Sequence, residues 1–385
     1  MRNRITRLLY IVSVLIIYTS YKAIQLWPTQ PLAGITLSIL LFVVILGGTF
    51  GYRARPQIFD KFWFHVLTWT GSIAMGLWAT FMIISIPVDV LHLLIFAFQK
   101  AFAVEPEKLS SLFRDIYIFI FVLTLGLSGL GYLEVLRGPR IKKTLLTIAD
   151  LDPALEGLKI AQLSDLHVGT TIRKGYVEEV VARTNAAHPD LIVLTGDIAD
   201  AQASSVVEHL KPLQGLKSRF GVFYVTGNHE YYWEPKALIS QMRSLGFQVL
   251  LNSNIVLKVG AAQLMVAGVT DHAGEQMLPG HKPDARAALS SSEKVSFKIL
   301  LAHRPDACVA AEPLGAELQF SGHTHAGQFF PFSLFIGLAH QYSRGLYRHG
   351  QMWVYVNPGT GYWGPANRLG VGAEISLITL AREPV

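Results

Sequence analysis

The feature that most constrains this chain is a recurrence in its C-terminal part: short apolar runs end, one after another, in residues able to bind a cation or an anion. Residues 158–163 end at Ser164-Asp165, with His167 two positions on. Residues 191–194 end at Thr195-Gly196-Asp197, and residues 222–225 at Thr226-Gly227-Asn228-His229-Glu230. Residues 297–301 end at Ala302-His303, and residues 318–320 at Ser321-Gly322-His323-Thr324-His325. Short apolar runs bounded by glycine and turn residues suit buried strands. The first three loops recur at roughly thirty-residue intervals, the length of a βαβ unit. The patch 172–183 and Asn185 fit a connecting helix. Polar residues at the C-terminal ends of strands are where open α/β sheets bind ligands. Later runs (264–269, 353–356 and 375–380) alternate with fewer helix-like stretches, which predicts a second sheet packed on the first.

The N-terminal third has a different texture. The chain is 51% hydrophobic and 16% charged, with mean hydropathy +0.36, where average soluble chains carry about 25% charged residues. That deficit points to membrane segments. Four apolar stretches, near residues 8–27, 32–52, 62–87 and 116–136, each approach the ~20 residues that cross a bilayer. Trp27, Trp63 and Tyr132 sit near segment ends, as interfacial aromatics do. No small-x-small cleavage site follows the first stretch, so it reads as an uncleaved span and not a signal peptide. Residues 88–98 contain Asp89 and His92 and are too short to span alone. They read as an extension of the third helix beyond Pro87 or as an interfacial helix.

Cations flank these stretches unevenly. Arg2, Arg4 and Arg7 precede the first, Arg53, Arg55 and Lys61 lie between the second and third, and Arg137, Arg140, Lys142 and Lys143 follow the fourth. The other two loops are less basic: Lys22 in one, and Lys100, Lys108 and Arg114 balanced by Glu105, Glu107 and Asp115 in the other. By the positive-inside rule both termini are cytoplasmic; a fifth crossing within 88–104 would put the C-terminal part outside. The organisation expected is an all-α transmembrane region of about four helices over residues 1–142, followed by an α/β domain over residues 143–385. The net charge of +6 is absorbed by these topology signals. There is no basic stripe interleaved with aromatics of the kind a nucleic-acid groove needs, and no obligate protein partner is evident. Cys308 is the only cysteine, which excludes an intramolecular disulfide.

The polar loop residues form a chemical set. Asp165 and His167, two apart in an extended loop, can turn toward one ion, and the carboxylate of Asp197 can bridge two. Asn228 offers a neutral carbonyl oxygen, and His303 and His323 offer imidazoles, to a second ion; His325 can return to the first. Mixed nitrogen and oxygen donors suit manganese, with iron or zinc as alternatives, better than calcium. Two such ions ~3.5–4 Å apart polarise a phosphoryl oxygen and activate a water, so no nucleophilic side chain is required. Ser164 and Ser321 have no obvious base partner. His229 is the candidate to protonate a leaving oxygen or hold the phosphoryl group, with Glu230 as its orienting carboxylate. Arg304 and Arg368 are candidate phosphate binders. The other histidines, among them His281 and His340, read as structural or exposed; Asp271-His272 is a candidate for the rim of the site. Gly359-Thr360-Gly361-Tyr362-Trp363-Gly364 matches a dinucleotide fingerprint, but Pro365 follows and no helix opens, so that reading is rejected. Two aromatic clusters adjoin the motifs: Tyr231, Tyr232 and Trp233, and the stretch 329–336. Their bland reading is packing; the sharper one is an apolar rim touching membrane or a lipid tail.

The motif order D-x-H, GD, GNHE, H, G-H-x-H resembles the calcineurin-like metallophosphoesterase superfamily over residues 157–380. The resemblance implies an αββα-type sandwich and a dinuclear site hydrolysing phosphomonoesters, phosphodiesters or pyrophosphates. It implies that Asp165, His167, Asp197 and His325 hold the first metal, that Asp197, Asn228, His303 and His323 hold the second, and that His229 is catalytic. The stretches around Ala302-His303-Arg304-Pro305-Asp306 and Ser321 to Gln328 are similar to membrane-anchored bacterial phosphodiesterases, a branch that includes UDP-diacylglucosamine pyrophosphatases. Ala326 stands where glycine is commoner in that branch, and Ala366-Asn367-Arg368 where Pro-x-Arg is commoner. The expectation is an inner-membrane phosphohydrolase with a lipid-linked substrate. The rivals are a membrane-tethered phosphoprotein phosphatase or nucleotide phosphodiesterase, and a scaffold with an idle metal site.

Overall fold

The computed structural model describes residues 2–26, 29–50, 56–102 and 106–383. Trp27, Arg53, Arg55 and Glu105, used above as topology signals, lie outside the described residues. The chain divides into two compact units: Met1–Gly51, Phe62–Tyr132 and Gly364–Ala366 form one, and Tyr52–Lys61, Leu133–Trp363 and Asn367–Val385 the other.

The first unit is built on α1 (Arg2–Leu26), α2 (Pro31–Phe50) and, after a single turn α3 (Pro56–Phe59) that belongs to the second unit, α4 (Phe62–Phe102) and α5 (Pro106–Arg137), whose last residues also belong to the second. Among the described residues, three stretches are long and apolar enough to cross a membrane: Pro31–Gly48, Phe62–Phe98 and Lys108–Arg137. In α1 the apolar stretch with described side chains, Val14–Leu26, is shorter. Phe62, Leu32 and Ile17 are exposed at 81%, 79% and 70%, an apolar surface that suits lipid, not water. Residues 88–98 continue α4 past Pro87 without a break, which resolves their ambiguity in favour of helix extension. Helices α2 and α4 cross where a Cβ on Gly71 would come within 2.6 Å of Gly48 Cα; small residues set such close crossings in membranes.

Lys22 is not in a loop. Helix α1 runs four residues beyond it, and its ammonium is buried against Asp89 on α4. Asp89 also accepts the hydroxyls of Tyr18 and Tyr117, the latter at 2.6 Å, and Lys22 Nζ sits 3.9 Å from the centroid of the Tyr117 ring. An isolated charge in an apolar bundle is costly, so these four groups lock α1, α4 and α5 into one register. Removing one partner of such a pair costs about 3–5 kcal/mol, whereas replacing both by apolar residues is near neutral. Asp89→Ala is therefore expected to lower the thermal midpoint of the detergent-solubilised protein, and Lys22→Met with Asp89→Leu to restore it. Equal melting of Asp89→Ala and wild type would refute the lock.

The second unit is a sandwich. One sheet runs β1 (Arg140–Ile148), β2 (Lys159–Leu163), β3 (Leu191–Thr195), β4 (Val222–Val225) and β5 (Gln248–Val249), with β12 (Glu374–Arg382) inserted between β1 and β2. The other contains β6 (Ser253–Val259), β7 (Ala262–Gly268), β8 (Phe297–Leu301), β9 (Leu318–Ser321), β10 (Gly345–His349) and β11 (Met352–Val356), in the spatial order β10-β11-β9-β8-β7-β6. The second sheet thus exists as expected, but β12 belongs to the first, pairing parallel with β1 and antiparallel with β2. Strand alternation builds the layers. Leu191, Val193, Phe223 and Val225 meet Leu264, Val266, Ile299, Leu301 and Phe320 between the sheets. Helices α6 (Lys174–Ala186), α7 (Ala203–Leu210), the short α8 (Asn228–Tyr232) and α9 (Pro235–Ser244) follow β2, β3 and β4. Val177, Val180, Val206, Leu238 and Met242 of α6, α7 and α9 are fully buried, as a helix layer on a sheet requires.

Both linkers that join this unit to the apolar helices dock on or beside α6. Phe59 of α3 is fully buried, Arg173 at the head of α6 donates to the Phe59 carbonyl at 2.6 Å, and Asp60 pairs with Arg173 and His209 at 3.4 and 3.3 Å. Toward the other end of α6, Arg183 donates to the carbonyls of Arg137 and Pro139.

Candidate metal centre

Strands β2, β3 and β4 of one sheet and β8 and β9 of the other are parallel within their sheets, and all five deliver their C-terminal loops to one place. The loops turn sharply. Asp165, His167, Asp197, His323 and His325 have φ of 51°, 52°, 52°, 71° and 49°. Non-glycine residues rarely occupy this left-handed region, and such strain gathers where function fixes the backbone. Ala326 has φ 51° as well, so the backbone is strained at the one position of this loop where the related branch prefers glycine. Two motif glycines are set by close approach. A Cβ on Gly227 would lie 2.2 Å from Asp197 Oδ1, and one on Gly322 would lie 2.1 Å from Asp165 Oδ2. Backbone amides hold the same carboxylates: His229 N–H donates to Asp197 at 2.8 Å, and His323 N–H to Asp165 at 3.1 Å.

All seven residues proposed from sequence as ligands come together, in two groups that share Asp197. In the first, His167 Nε2 lies 3.0 Å from His325 Nε2 and 3.9 Å from both Asp165 Oδ1 and Asp197 Oδ2, and His325 Nε2 is 3.3 Å from Asp165 Oδ1. In the second, His303 Nε2 lies 3.2 Å from Asp197 Oδ2, 3.1 Å from Asn228 Oδ1 and 3.2 Å from His323 Nδ1. In each group, imidazole nitrogens and carboxylate or amide oxygens converge on one point. They are spaced as the edges of a coordination shell whose bonds are ~2.0–2.2 Å. Asp165-His167-His325 and Asp197-His303-His323 each could hold a metal ion, and the mixed nitrogen and oxygen donors fit a divalent transition ion.

Electrostatics split the imidazoles. Burial lowers His167 and His323 to about 3 each, helped by neighbouring cationic groups. Burial also opposes charge on His303, but Asp197 and Asp165 prevail and raise it to about 10. His229 follows the same rule: burial opposes its charge, yet Asp197 and Asp200 raise it to about 9.

The structure corrects the partner of His229. Glu230 does not touch its ring. It is fully buried and accepts backbone amides of Asp197, Ile198, Ala199 and Gly227 at 3.0, 2.8, 3.2 and 2.7 Å. Asp200 holds His229 instead, with Oδ1 2.7 Å from Nδ1 and 2.9 Å from Trp233 Nε1. Sequence reasoning missed Asp200; the signal was the spacing Gly196-Asp197-x-x-Asp200, which returns a second acid to the same loop. Arg368 is also corrected. It is fully buried, and all three guanidinium nitrogens donate to carbonyls of Pro358, Gly359 or Gly361, so it clamps that loop and offers nothing to a substrate. Arg304 is partly exposed and touches His323, with Nη1 3.1 Å from Nε2, and Asp271 is its ion partner. His340, read as structural, stacks edge-on against His323 at 5.6 Å between ring centroids.

A sandwich of this topology with two ligand sets joined through one carboxylate defines a metal-dependent phosphoester hydrolase. The family model for calcineurin-like phosphoesterases matches residues 158–327, and the chain belongs to that family, whose members use a dinuclear divalent-metal site. An uncharacterized metallophosphoesterase of Helicobacter pylori strain J99 is 36% identical over 277 residues, covering 71% of this chain and 73% of that one. The transmembrane protein with metallophosphoesterase domain of Danio rerio is 28% identical over 361 residues, covering 92% and 82%. Among solved structures, the 5'-nucleotidase precursor of Thermus thermophilus aligns with a TM-score of 0.37 at 16% identity, covering 58% of this chain and 54% of that one.

Replacing a partner that orients a site histidine costs about 10–100-fold. Asp200→Asn is expected to lower kcat by that factor while the metal content by elemental analysis stays at the wild-type value. An unchanged kcat would show that Asp200 does not orient His229.

Proposed function

We propose that the protein is a membrane-anchored phosphohydrolase that cleaves phosphodiester or pyrophosphate bonds in a lipid-linked substrate. Asp165, His167, Asp197 and His325 would hold one ion, and Asp197, Asn228, His303 and His323 the other, with manganese the first candidate and iron or zinc the alternatives. When bound, the ions would polarise the phosphoryl oxygen and supply an activated water. The chain's own residues do the rest. His229, oriented by Asp200, is placed to give a proton to the leaving oxygen. Arg304, adjacent to His323, offers guanidinium hydrogens to a non-bridging oxygen.

The observation that carries the lipid reading is the surface beside His229. The rings of Tyr232 and Trp363 lie 5.2 and 5.5 Å from its imidazole, and both are about half exposed. On the segment that follows His325, Leu334, Phe335 and Leu338 are exposed at 67%, 52% and 88%. Exposed aromatic rings beside the catalytic histidine, and exposed apolar side chains on the segment that follows the last ligand motif, suit an acyl chain or a bilayer surface. The basic residues Lys61, Arg137, Arg140, Lys142 and Lys143 support the cytoplasmic face of a bacterial inner membrane.

Two flat rings flanking His229 would also suit a nucleobase, so the second reading is a nucleotide phosphodiesterase. Leu334→Asp with Phe335→Asp and Leu338→Asp separates the two. The triple variant is expected to lose at least about tenfold in kcat/KM on a detergent-dispersed lipid pyrophosphate, the cost of roughly one lost apolar side-chain contact, while hydrolysis of bis(p-nitrophenyl) phosphate is unchanged. Equal rates on the lipid, or a wild-type preference for nucleotide diesters, would contradict the lipid assignment.

A further inference from the structure

Asp271 lies just past β7 on the same edge of the second sheet as His303 and His323, and the ligand sets do not use it. Its side chain is fully shielded, whereas that of Arg304 is 28% exposed. The carboxylate is committed at both oxygens: Oδ1 accepts the Ala273 amide at 2.8 Å, and Oδ2 accepts Arg304 Nε at 2.8 Å. The first bond ties the carboxylate to the backbone, and the second fixes the plane of the guanidinium.

The other end of the guanidinium is held less firmly. Arg304 Nη1 lies 3.1 Å from His323 Nε2, and the opposite nitrogen of that ring, Nδ1, faces His303 Nε2 at 3.2 Å. Nδ1 is therefore the atom His323 would offer to a cation. A neutral imidazole carries a single proton. With Nδ1 committed to an ion, the proton resides on Nε2, and Nε2 can no longer accept from Arg304. Two donors then face each other, and the terminal nitrogens of Arg304 need another acceptor. An oxyanion beside the second ligand set satisfies them, and a guanidinium binds phosphate oxygens through paired, charge-assisted hydrogen bonds.

We propose that Asp271 is a positioning residue: it grips Arg304 through Nε and so aims the terminal nitrogens at a non-bridging phosphoryl oxygen of the substrate. The inference rests on the phosphohydrolase reading and adds to it the residue that presents the phosphate-binding arm.

The test uses the full-length, detergent-solubilised, manganese-loaded protein. Binding of inorganic phosphate is measured by calorimetry, KM and kcat with bis(p-nitrophenyl) phosphate, and metal content by elemental analysis, for Asp271→Ala, Asp271→Asn, Arg304→Gln and Asp271→Ala with Arg304→Gln. Asp271→Ala and Arg304→Gln are each expected to weaken phosphate binding and raise KM by about tenfold, the effect of losing one charged hydrogen bond, with metal content unchanged. The double variant is expected to be no weaker than Arg304→Gln alone, because Asp271 acts only through Arg304. Asp271→Asn keeps an acceptor for the Ala273 amide, preserves the fold if the alanine does not, and should fall between wild type and alanine. Wild-type phosphate affinity in both Asp271 variants overturns the proposal. So do losses that add in the double variant, or loss of metal from both Asp271 variants, which would assign Asp271 to the ligand set itself. A wild-type protein that neither binds phosphate nor hydrolyses the diester would sink the phosphohydrolase reading and this inference with it, an outcome distinct from failure of the variants alone.

Discussion

The carboxylate of Asp197 is the contact on which the rest of the site depends. It stands at the end of β3, belongs to both ligand sets, and lies 3.2 Å from His303 Nε2 and 3.9 Å from the Nε2 atoms of His167 and His229. Such a group must be held rigidly, and two devices hold it. Gly227 lets the β4 loop approach within a distance that any side chain would block. Glu230 gathers four backbone amides from the β3 and β4 loops onto one buried carboxylate. Burial first, and the charge of Asp197 next, raise Glu230 to about 7. Glu230 is thus an internal strut for Asp197, which explains why it follows His229 in sequence yet does not serve it.

The parts of this architecture legible in sequence were those with local causes. The strands ending at Asp165, Asp197, Asn228, His303 and His323 announced themselves by apolar runs stopped by turn residues, and the ligand chemistry followed from residue type. What was not legible came from long-range geometry. Strand β12 looks like one more late strand, and only its pairing with β1 and β2 puts it in the first sheet. A guanidinium reads as a phosphate binder until its surroundings are known: Arg368 is enclosed by carbonyls, whereas Arg304 opens to the site. Asp200 and Glu230 are both acids near His229 in the chain, and the positions of their carboxylates, not their sequence distance, decide which one holds the ring.

The helical unit shows the same limit. Lys22 reads as a loop cation because positive charge usually marks a boundary, yet α1 continues past it and Asp89, Tyr18 and Tyr117 enclose its ammonium. The residues that made 88–98 look unlike a span are those that pair with α1 and α5. Membrane attachment is therefore not a single anchor: α1 is pinned by a polar cluster, and the catalytic unit takes in the linker around Asp60 as well as the exit of α5.

We propose that the carboxylate shared by the two candidate ligand groups governs how many ions the protein holds. Elemental analysis of the purified full-length protein after manganese loading tests this most directly, with wild type compared with Asp197→Ala. Two ions per chain in wild type and at most one in Asp197→Ala, with hydrolysis abolished, is the outcome expected. A wild-type stoichiometry of one or none, or two ions retained by Asp197→Ala, would contradict the shared-carboxylate centre.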